Sequence, residues 1–171
     1  LVFHSMSWLY DLKSGNEAVV DETKDFKGTL IPVISLSPLI DHEFGGRDNI
    51  IDFIKKNGVG AVRLFPNDHN YTLHLWNCDR LFSLLEELRI PVLIECRPIE
   101  GSIDGYFDKI VGIARTYNHT PIILLTTGYR SLRIIYEMLD KCRNIYIDTS
   151  TFLTYRGIED VTKLFGSERI M

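Results

Sequence analysis

The sequence lacks the features that define several protein classes, and each absence excludes one class of function. Three cysteines (Cys78, Cys96 and Cys142) lie far apart among 171 residues, so we expect no disulfide scaffold and a reducing, cytoplasmic setting. With no basic stripe, and 19 basic against 23 acidic residues for a net charge of −4, nucleic acid is not an expected partner. The longest apolar run, 30–40, contains two prolines and two serines, so no membrane-spanning segment is expected.

Short motifs for common chemistry are also missing. There is no His-x-His, His-Glu-x-x-His or Gly-x-Ser-x-Gly pattern, and no glycine-rich turn follows an apolar run. Gly58 and Gly60 precede a run, which indicates a helix-to-strand connection rather than a phosphate-binding loop. A hydrophobic content of 45% is typical of a globular chain, so we expect a single α/β domain over 1–171.

Apolar runs alternate with segments of helical periodicity. The runs are rich in Val, Ile and Leu without alternation, as expected for strands covered by helices on both faces. They occupy 1–4, 29–36, 60–66, 91–96, 121–126 and 145–150, with a stub at Arg169. The helical segments are 16–26, 49–58, 79–90, 102–117, 130–142 and 157–166. Asp79 is suited to cap the third of these.

This alternation predicts a parallel sheet in one of two architectures. The sheet is either open and doubly wound, or it belongs to a (β/α)8 barrel that is incomplete at both ends. The chain opens directly in one apolar run and stops at the start of another, which suggests a segment of a longer protein. A barrel with open edges would also tend to self-associate into a homo-oligomer.

Both architectures place ligands at the carboxyl ends of the strands. Charged residues there are costly unless they are paired, so they should meet in the mouth of the sheet. Two readings stay open: guanidinium groups that hold a carboxylate or phosphate, or a salt-bridge network that closes the top of the sheet. The candidate residues are His4, Arg63, Glu95, Arg97, Thr126 and Asp148.

Aromatic residues also follow the strands. They either line a pocket or pack helices against the sheet, and the sequence favours neither reading. These residues are Trp8, Tyr10, Phe65, Tyr71, Trp76 and Tyr129.

The order of segments resembles a known family. The stretches "LVFHSMSWLYDLKSGNEAVVDETKDFKGTLIPVISLSP", "NGVGAVRLFPNDHNYTL", "LFSLLEELRIPVLIEC", "PIILLTTG", "CRNIYIDTS" and "GIEDVTKLFGSERIM" together look like the amidohydrolase family of metal-dependent hydrolases. They look most like the branch that also holds aromatic-acid decarboxylases and lactone hydrolases. The resemblance covers nearly the whole chain.

The resemblance implies a TIM barrel in which the chain begins at the second strand and ends inside the eighth. It implies a divalent metal such as zinc, held by a His-x-His on the first strand, by histidines closing the fifth and sixth, and by a later aspartate. In this chain Glu95 and Thr126 stand at the fifth-strand and sixth-strand positions, so an altered or absent metal site is expected. Arg63 stands where some relatives carry a lysine, and it cannot serve as a carbamylated metal bridge.

The expected function is therefore amidohydrolase-like hydrolysis of a small anionic substrate at the mouth of the barrel. Glu95 and Asp148 are the expected catalytic residues. His4, Arg63, Arg97 and Thr126 are expected to bind the substrate. Two alternatives remain: decarboxylation by the same family, and a barrel that binds a small molecule or a protein without catalysis.

Overall fold

Strands and helices alternate along the chain, as predicted. The computed structural model describes residues 1–96, 105–128 and 131–171. Within these residues the strands are β1 (Val2–Phe3), β2 (Pro32–Ser35), β3 (Ala61–Leu64), β4 (Val92–Glu95), β5 (Ile122–Leu125) and β6 (Ile145–Ile147). The helices are α1 (Met6–Leu9), α2 (Leu12–Thr23), α3 (Ile40–Phe44), α4 (Arg47–Asn57), α5 (Leu75–Leu88), α6 (Tyr106–Thr116), α7 (Leu132–Lys141) and α8 (Gly157–Phe165). Short 3₁₀ turns follow at Lys24–Phe26 and Ser167–Arg169.

The order of the strands decides between the two predicted architectures. All neighbouring strands are parallel and lie side by side in chain order, from β1 to β6. A doubly wound sheet would reverse its order part-way across, whereas a barrel adds each strand beside the previous one. A parallel bridge between Ile147 and Ile170 continues the sheet at the predicted stub. The prediction of an incomplete barrel is confirmed.

The register of the strands assigns their side chains to two faces. Residues paired across parallel strands point to the same side of the sheet. The outer face packs against the helices through fully buried aliphatic side chains, among them Ile34, Leu64, Ile94 and Leu124. The alternate positions therefore point to the inner, concave face. Arg63, which pairs with Ser35 and Leu93, and Glu95, two residues after Leu93, both lie on that inner face.

The start of α5 differs from the sequence prediction. We expected Asp79 to cap the helix, but the helix begins at Leu75 after His74, and Asp79 lies inside it, where its carboxylate accepts a hydrogen bond from Tyr117 Oη. The carbonyl of Thr72 accepts hydrogen bonds from the side chains of Asn77 and Cys78. These contacts stabilise an additional first turn, so tertiary packing overrides the capping signal.

The other predicted boundaries agree more closely. Gly58 ends α4 with φ +63°, and its amide and that of Val59 donate to the Ile54 carbonyl, as expected for a glycine-terminated helix. Residues 102–104 and 130, at the starts of two predicted helices, lie outside the described residues. In the described part of the chain, no helix has the length and apolar character needed to cross a membrane.

Candidate functional site

Arg63 and Glu95 form an ion pair on the concave face of the sheet. Arg63 Nη2 donates to Glu95 Oε1 at 2.7 Å. The two side chains come from neighbouring strands, β3 and β4, close to the carboxyl ends. Their exposed fractions are 24% and 15%, so the pair is partly shielded but still reaches solvent. The predicted meeting of charged residues in the mouth occurs at this pair.

Two aromatic rings hold the Arg63 guanidinium. Its central carbon lies 5.0 Å from the ring centre of Phe3 and 4.8 Å from that of Phe65, and the two rings lie 5.5 Å apart. Cation–π contacts of this kind attract a guanidinium without consuming its N–H donors. Arg63 Nε is buried without a hydrogen-bond partner among the described residues. The guanidinium is therefore fixed in place while part of its hydrogen-bonding capacity stays unused.

A hydrogen bond from α6 holds the end of β4 in place. Tyr106 Oη on α6 donates to the Glu95 carbonyl at 2.7 Å, and burial raises the pKa of this tyrosine above its ordinary value. Burial also raises the pKa of the Cys96 thiol, the next residue along the chain, to about 12. Cys96 therefore stays a protonated thiol near neutral pH and does not supply a thiolate nucleophile.

His4 makes its contacts with neighbouring helices. Its Nδ1 accepts the amide of Met6 at 3.2 Å, and its Nε2 lies 3.7 Å from Glu22 Oε1 on α2. The carbonyl of His4 accepts a hydrogen bond from Ser7 Oγ. The imidazole thus braces the turn after β1, and its role in substrate binding stays a prediction.

Thr126 lies at the end of β5 in an unusual backbone conformation. Its φ is +57°, a value that β-branched residues rarely adopt because Cβ meets the backbone. Its Oγ1 is buried without a hydrogen-bond partner in the described part of the chain. The neighbouring Thr127 is fully buried, and its Oγ1 donates to the Asp148 carbonyl at 2.7 Å.

Asp148 follows β6 and is held by its own turn. Its carboxylate accepts the amide of Ser150 at 3.2 Å and the hydroxyl of the same residue. Its amide donates to the Leu124 carbonyl. The structure ties Asp148 to the end of β5, and its catalytic role stays a prediction. Arg97 lies outside the described residues.

A large open groove lies above the carboxyl ends of β1, β2 and β3. Its volume is about 1090 Å³, and we call it the loop groove. It is lined by residues 7–13, 37–39 and 66–73 together with Glu43, Trp76, Asn77, Tyr106 and Lys109. Neither Arg63 nor Glu95 lines it. The stacked rings of Trp8 and Phe65, 5.7 Å apart, lie between the groove and Arg63.

The aromatic residues that follow the strands divide between the two predicted roles. Trp8, Tyr10, Tyr71 and Trp76 line the loop groove, whereas Phe65 is buried against Arg63. Tyr129 lies outside the described residues. In the sequence, these rings are identified as candidate pocket residues because they follow the strands. The polar residues of the groove, such as Asp68 and Asn70, come from a loop with no recognisable motif.

Comparisons with known proteins identify the fold. No family model matches the chain, and no curated protein matches it. Among solved structures, a 2,6-dihydroxybenzoate decarboxylase from Rhizobium is 13% identical with a TM-score of 0.70, over 99% of this chain and 67% of that one. A proposed amidohydrolase from Staphylococcus aureus is 14% identical with a TM-score of 0.70, over 95% and 67%. Dihydroorotase from Campylobacter jejuni is 14% identical with a TM-score of 0.61, over 95% and 55%.

The chain shares the barrel fold of these solved structures. It spans between 55% and 67% of the length of eight solved structures that it matches. In a barrel of this kind the ligand site lies at the carboxyl ends of the strands. The Arg63–Glu95 pair and the loop groove are both near that end.

The residues at the two positions where the resemblance implies metal ligands do not fit a metal ion. The Glu95 carboxylate is bound to the Arg63 guanidinium, whose positive charge disfavours a cation at the same oxygens. Thr126 offers a buried hydroxyl, which is a poor zinc ligand. Among the described residues no three His, Cys, Asp or Glu side chains are grouped closely enough to hold a metal.

Proposed function

We propose that the chain forms the substrate-binding mouth of an enzyme of the amidohydrolase family, acting on a small anionic molecule. The observation that supports this most strongly is the Arg63–Glu95 pair, which places a guanidinium on the concave face at the carboxyl end of β3. A guanidinium in such a place recognises a carboxylate or phosphate through paired N–H donors. The first candidate reaction class is hydrolysis.

Arg63 is the proposed anchor for the anionic group. Glu95 accepts from one of its terminal nitrogens, which leaves other N–H groups of the planar fork for a substrate. The rings of Phe3 and Phe65 restrict its rotation, so less conformational entropy is lost on binding. His4, Arg97 and Thr126 are proposed to complete the substrate site.

The proposed proton-transfer groups are the carboxylates Glu95 and Asp148. When a substrate anion binds Arg63, it competes with Glu95 for the guanidinium, and the Glu95 carboxylate is proposed to accept a proton from an attacking water. Asp148 is held by Ser150 at the end of β6, and it is proposed as the second carboxylate. Because Glu95 and Thr126 do not fit a metal, we propose an altered or absent metal site for this reaction.

Decarboxylation is the second candidate function. The fold is shared with a 2,6-dihydroxybenzoate decarboxylase and with a 5-carboxyvanillate decarboxylase from Sphingomonas paucimobilis. An arginine that holds a carboxylate serves decarboxylation as well as it serves hydrolysis. A barrel that binds an anion without turnover is the third outcome that the experiment must separate.

The test is a turnover assay on the full-length protein. Lactones, cyclic amides and aromatic carboxylates are incubated with enzyme of measured metal content, and both hydrolysis products and carbon dioxide are followed. We expect hydrolysis of an anionic lactone or amide, reduced at least tenfold by Arg63→Met. The control is Arg47→Met, because Arg47 forms an exposed ion pair with Glu87 on the outer helices.

Each outcome has a distinct meaning. Release of carbon dioxide would show that the protein is a decarboxylase rather than a hydrolase. Binding of the anions without any product, lost in Arg63→Met, leaves a binding protein. Turnover that Arg63→Met and Arg47→Met affect equally contradicts the proposed site.

A further inference from the structure

The loop groove has features of a ligand site that the proposed function does not use. It is wide and open, and it lies between α1, the loop after β2 and the loop after β3. Its volume of about 1090 Å³ lies slightly above the range for small-molecule sites. The Arg63–Glu95 pair does not line it, so a ligand of the groove occupies a different place from the anion proposed for that pair.

Exposed aromatic rings stand at the edges of the loop groove. The exposed fractions of Tyr10 and Trp76 are 86% and 78%, which is a large apolar area to leave in water. The two rings come from different elements: Tyr10 directly follows α1, and Trp76 lies on α5. Flat, exposed rings of this kind provide platforms for a ligand with an apolar face.

The interior of the loop groove offers hydrogen bonds. Asp68, Asn70 and Thr72 lie on the loop after β3, and all three line the groove. Trp8 Nε1 and Thr72 Oγ1 have no hydrogen-bond partner among the described residues. A shielded polar group without a partner costs about 1–3 kcal/mol, so a ligand that supplies oxygen atoms after a small side-chain adjustment is favoured.

The charges that line the loop groove nearly cancel. Three carboxylates, those of Asp11, Glu43 and Asp68, face two ammonium groups, those of Lys13 and Lys109. His69 Nε2 lies 3.0 Å from the carbonyl of Trp8, so this ring nitrogen donates a hydrogen bond to that carbonyl. A small net charge favours an uncharged ligand over the anion that suits Arg63.

We propose that the loop groove binds a neutral carbohydrate of one to a few sugar rings. A sugar presents an apolar C–H face, which stacks on Trp76 and Tyr10. Its hydroxyl groups both donate and accept, so they suit the carboxylate of Asp68, the amide of Asn70 and the unpaired indole N–H of Trp8.

The two tryptophans provide a direct test. The sequence contains two, Trp8 and Trp76, and both line the loop groove. The full-length protein is titrated with cellobiose, maltose and methyl glucoside while tryptophan emission and its quenching by acrylamide are followed. We expect a saturable emission change with a Kd of about 1 mM or below for at least one sugar, and protection of Trp76 from the quencher.

Three variants make the result specific, and each keeps at least one tryptophan as a reporter. We expect Trp76→Ala to weaken binding at least tenfold. Trp8→Phe, which keeps the ring on Phe65 but removes the N–H, should weaken it several-fold. Tyr155→Ala, which removes an equally exposed ring after β6, should leave it unchanged.

Other results overturn the proposal. The proposal is wrong if the emission change does not saturate with any of the three sugars. It is also wrong if Trp76→Ala and Tyr155→Ala bind the sugar equally strongly. Tight binding of malonate or of a proline-rich peptide in the groove, with no binding of sugars, assigns it to a different ligand. None of these outcomes affects the anion site, because Arg63 is not part of the groove.

Discussion

Arg63 is the residue on which the candidate site depends, because it places a positive charge on the inner face of a parallel sheet. Glu95 neutralises this charge at 2.7 Å, while Phe3 and Phe65 surround the guanidinium. The two charges of a partly shielded pair attract each other more strongly than those of a surface pair, because water screens them less. The exposed Arg47–Glu87 pair provides the comparison.

A double-mutant cycle measures the difference between the two pairs. We expect Arg63→Met and Glu95→Gln to couple by about 1–2 kcal/mol in the free energy of unfolding, between the values for surface and buried pairs. Arg47→Met and Glu87→Gln should couple by less than about 0.5 kcal/mol. Urea denaturation of the single and double variants gives both numbers. Equal coupling in the two cycles would show that the sheet does not shield the Arg63–Glu95 pair.

Substitutions of Thr126 and Thr127 should change the free energy of unfolding in opposite directions. Thr126→Gly removes a β-branched side chain at φ +57° and should raise the free energy of unfolding by about 1 kcal/mol. Thr127→Ala removes the buried hydrogen bond to the Asp148 carbonyl and should lower it by about 1–2 kcal/mol. Thermal and urea unfolding check both values. Destabilisation by Thr126→Gly would mean that its hydroxyl has a partner that stabilises the fold.

The sequence predicts some of these residues better than others. Arg63 and Glu95 meet because consecutive parallel strands bring their carboxyl ends together, and this follows from the order of the apolar runs. His4 also ends a strand, but a local hydrogen bond from Met6 directs its imidazole to the turn. The backbone strain at Thr126 leaves no mark in the pattern of residues.

At the scale of secondary structure elements, the contact between α1 and α2 has a specific requirement. Gly15 in α2 lies so close to α1 that an added Cβ would come within 2.1 Å of the Ser7 backbone nitrogen. One residue later, the buried side chain of Asn16 binds both the amide and the carbonyl of Ser35 at 2.7 Å. Together these contacts fix α2 against the end of β2.

Two glycines in helices should respond differently to alanine. Gly15→Ala has to push α1 away, so we expect a loss of about 1–3 kcal/mol or more in the free energy of unfolding. A Cβ added at Gly112 in α6 would meet no atom of another element within 4 Å, so Gly112→Ala should raise the free energy of unfolding by about 0.5–1 kcal/mol through helix propensity. Chemical denaturation of the two variants tests this. A neutral Gly15→Ala would contradict the close approach of the two helices.

The elements also show where sequence patterns are sufficient. Apolar runs in the sequence locate the six strands that the structure describes. The short helices α1 and α3 have too few residues to show a periodicity. The first turn of α5 depends on the Thr72 carbonyl, a tertiary contact that no capping rule predicts.

At the scale of the whole molecule, burial controls the chemistry of the cysteines. All three are free and buried, and burial raises the thiol pKa of Cys78 and Cys96 to about 12. The ordinary thiol pKa is about 8.5. The folded chain therefore keeps these protons over a range in which the unfolded chain releases them.

The sign of the resulting pH dependence follows directly. Above about pH 8.5 the unfolded state binds fewer protons than the folded state, so the free energy of unfolding falls as pH rises towards the folded pKa values. We expect urea denaturation to show this decline between about pH 8 and about pH 10, a range that begins near the ordinary thiol pKa. Cys78→Ala should make the decline shallower. A free energy of unfolding that is constant over this range would contradict the buried thiols.

The central claim is that Arg63 makes the mouth of the barrel an anion site. Calorimetric titration of the full-length protein with malonate and with inorganic phosphate tests it directly, using Arg63→Lys and the matched control Arg47→Lys. Lysine keeps the charge but loses the planar fork, so we predict that Arg63→Lys weakens binding of at least one anion by about tenfold, or about 1.4 kcal/mol, while Arg47→Lys leaves it unchanged. Equal affinities in the two variants, or no binding by the unmodified protein, would contradict the claim.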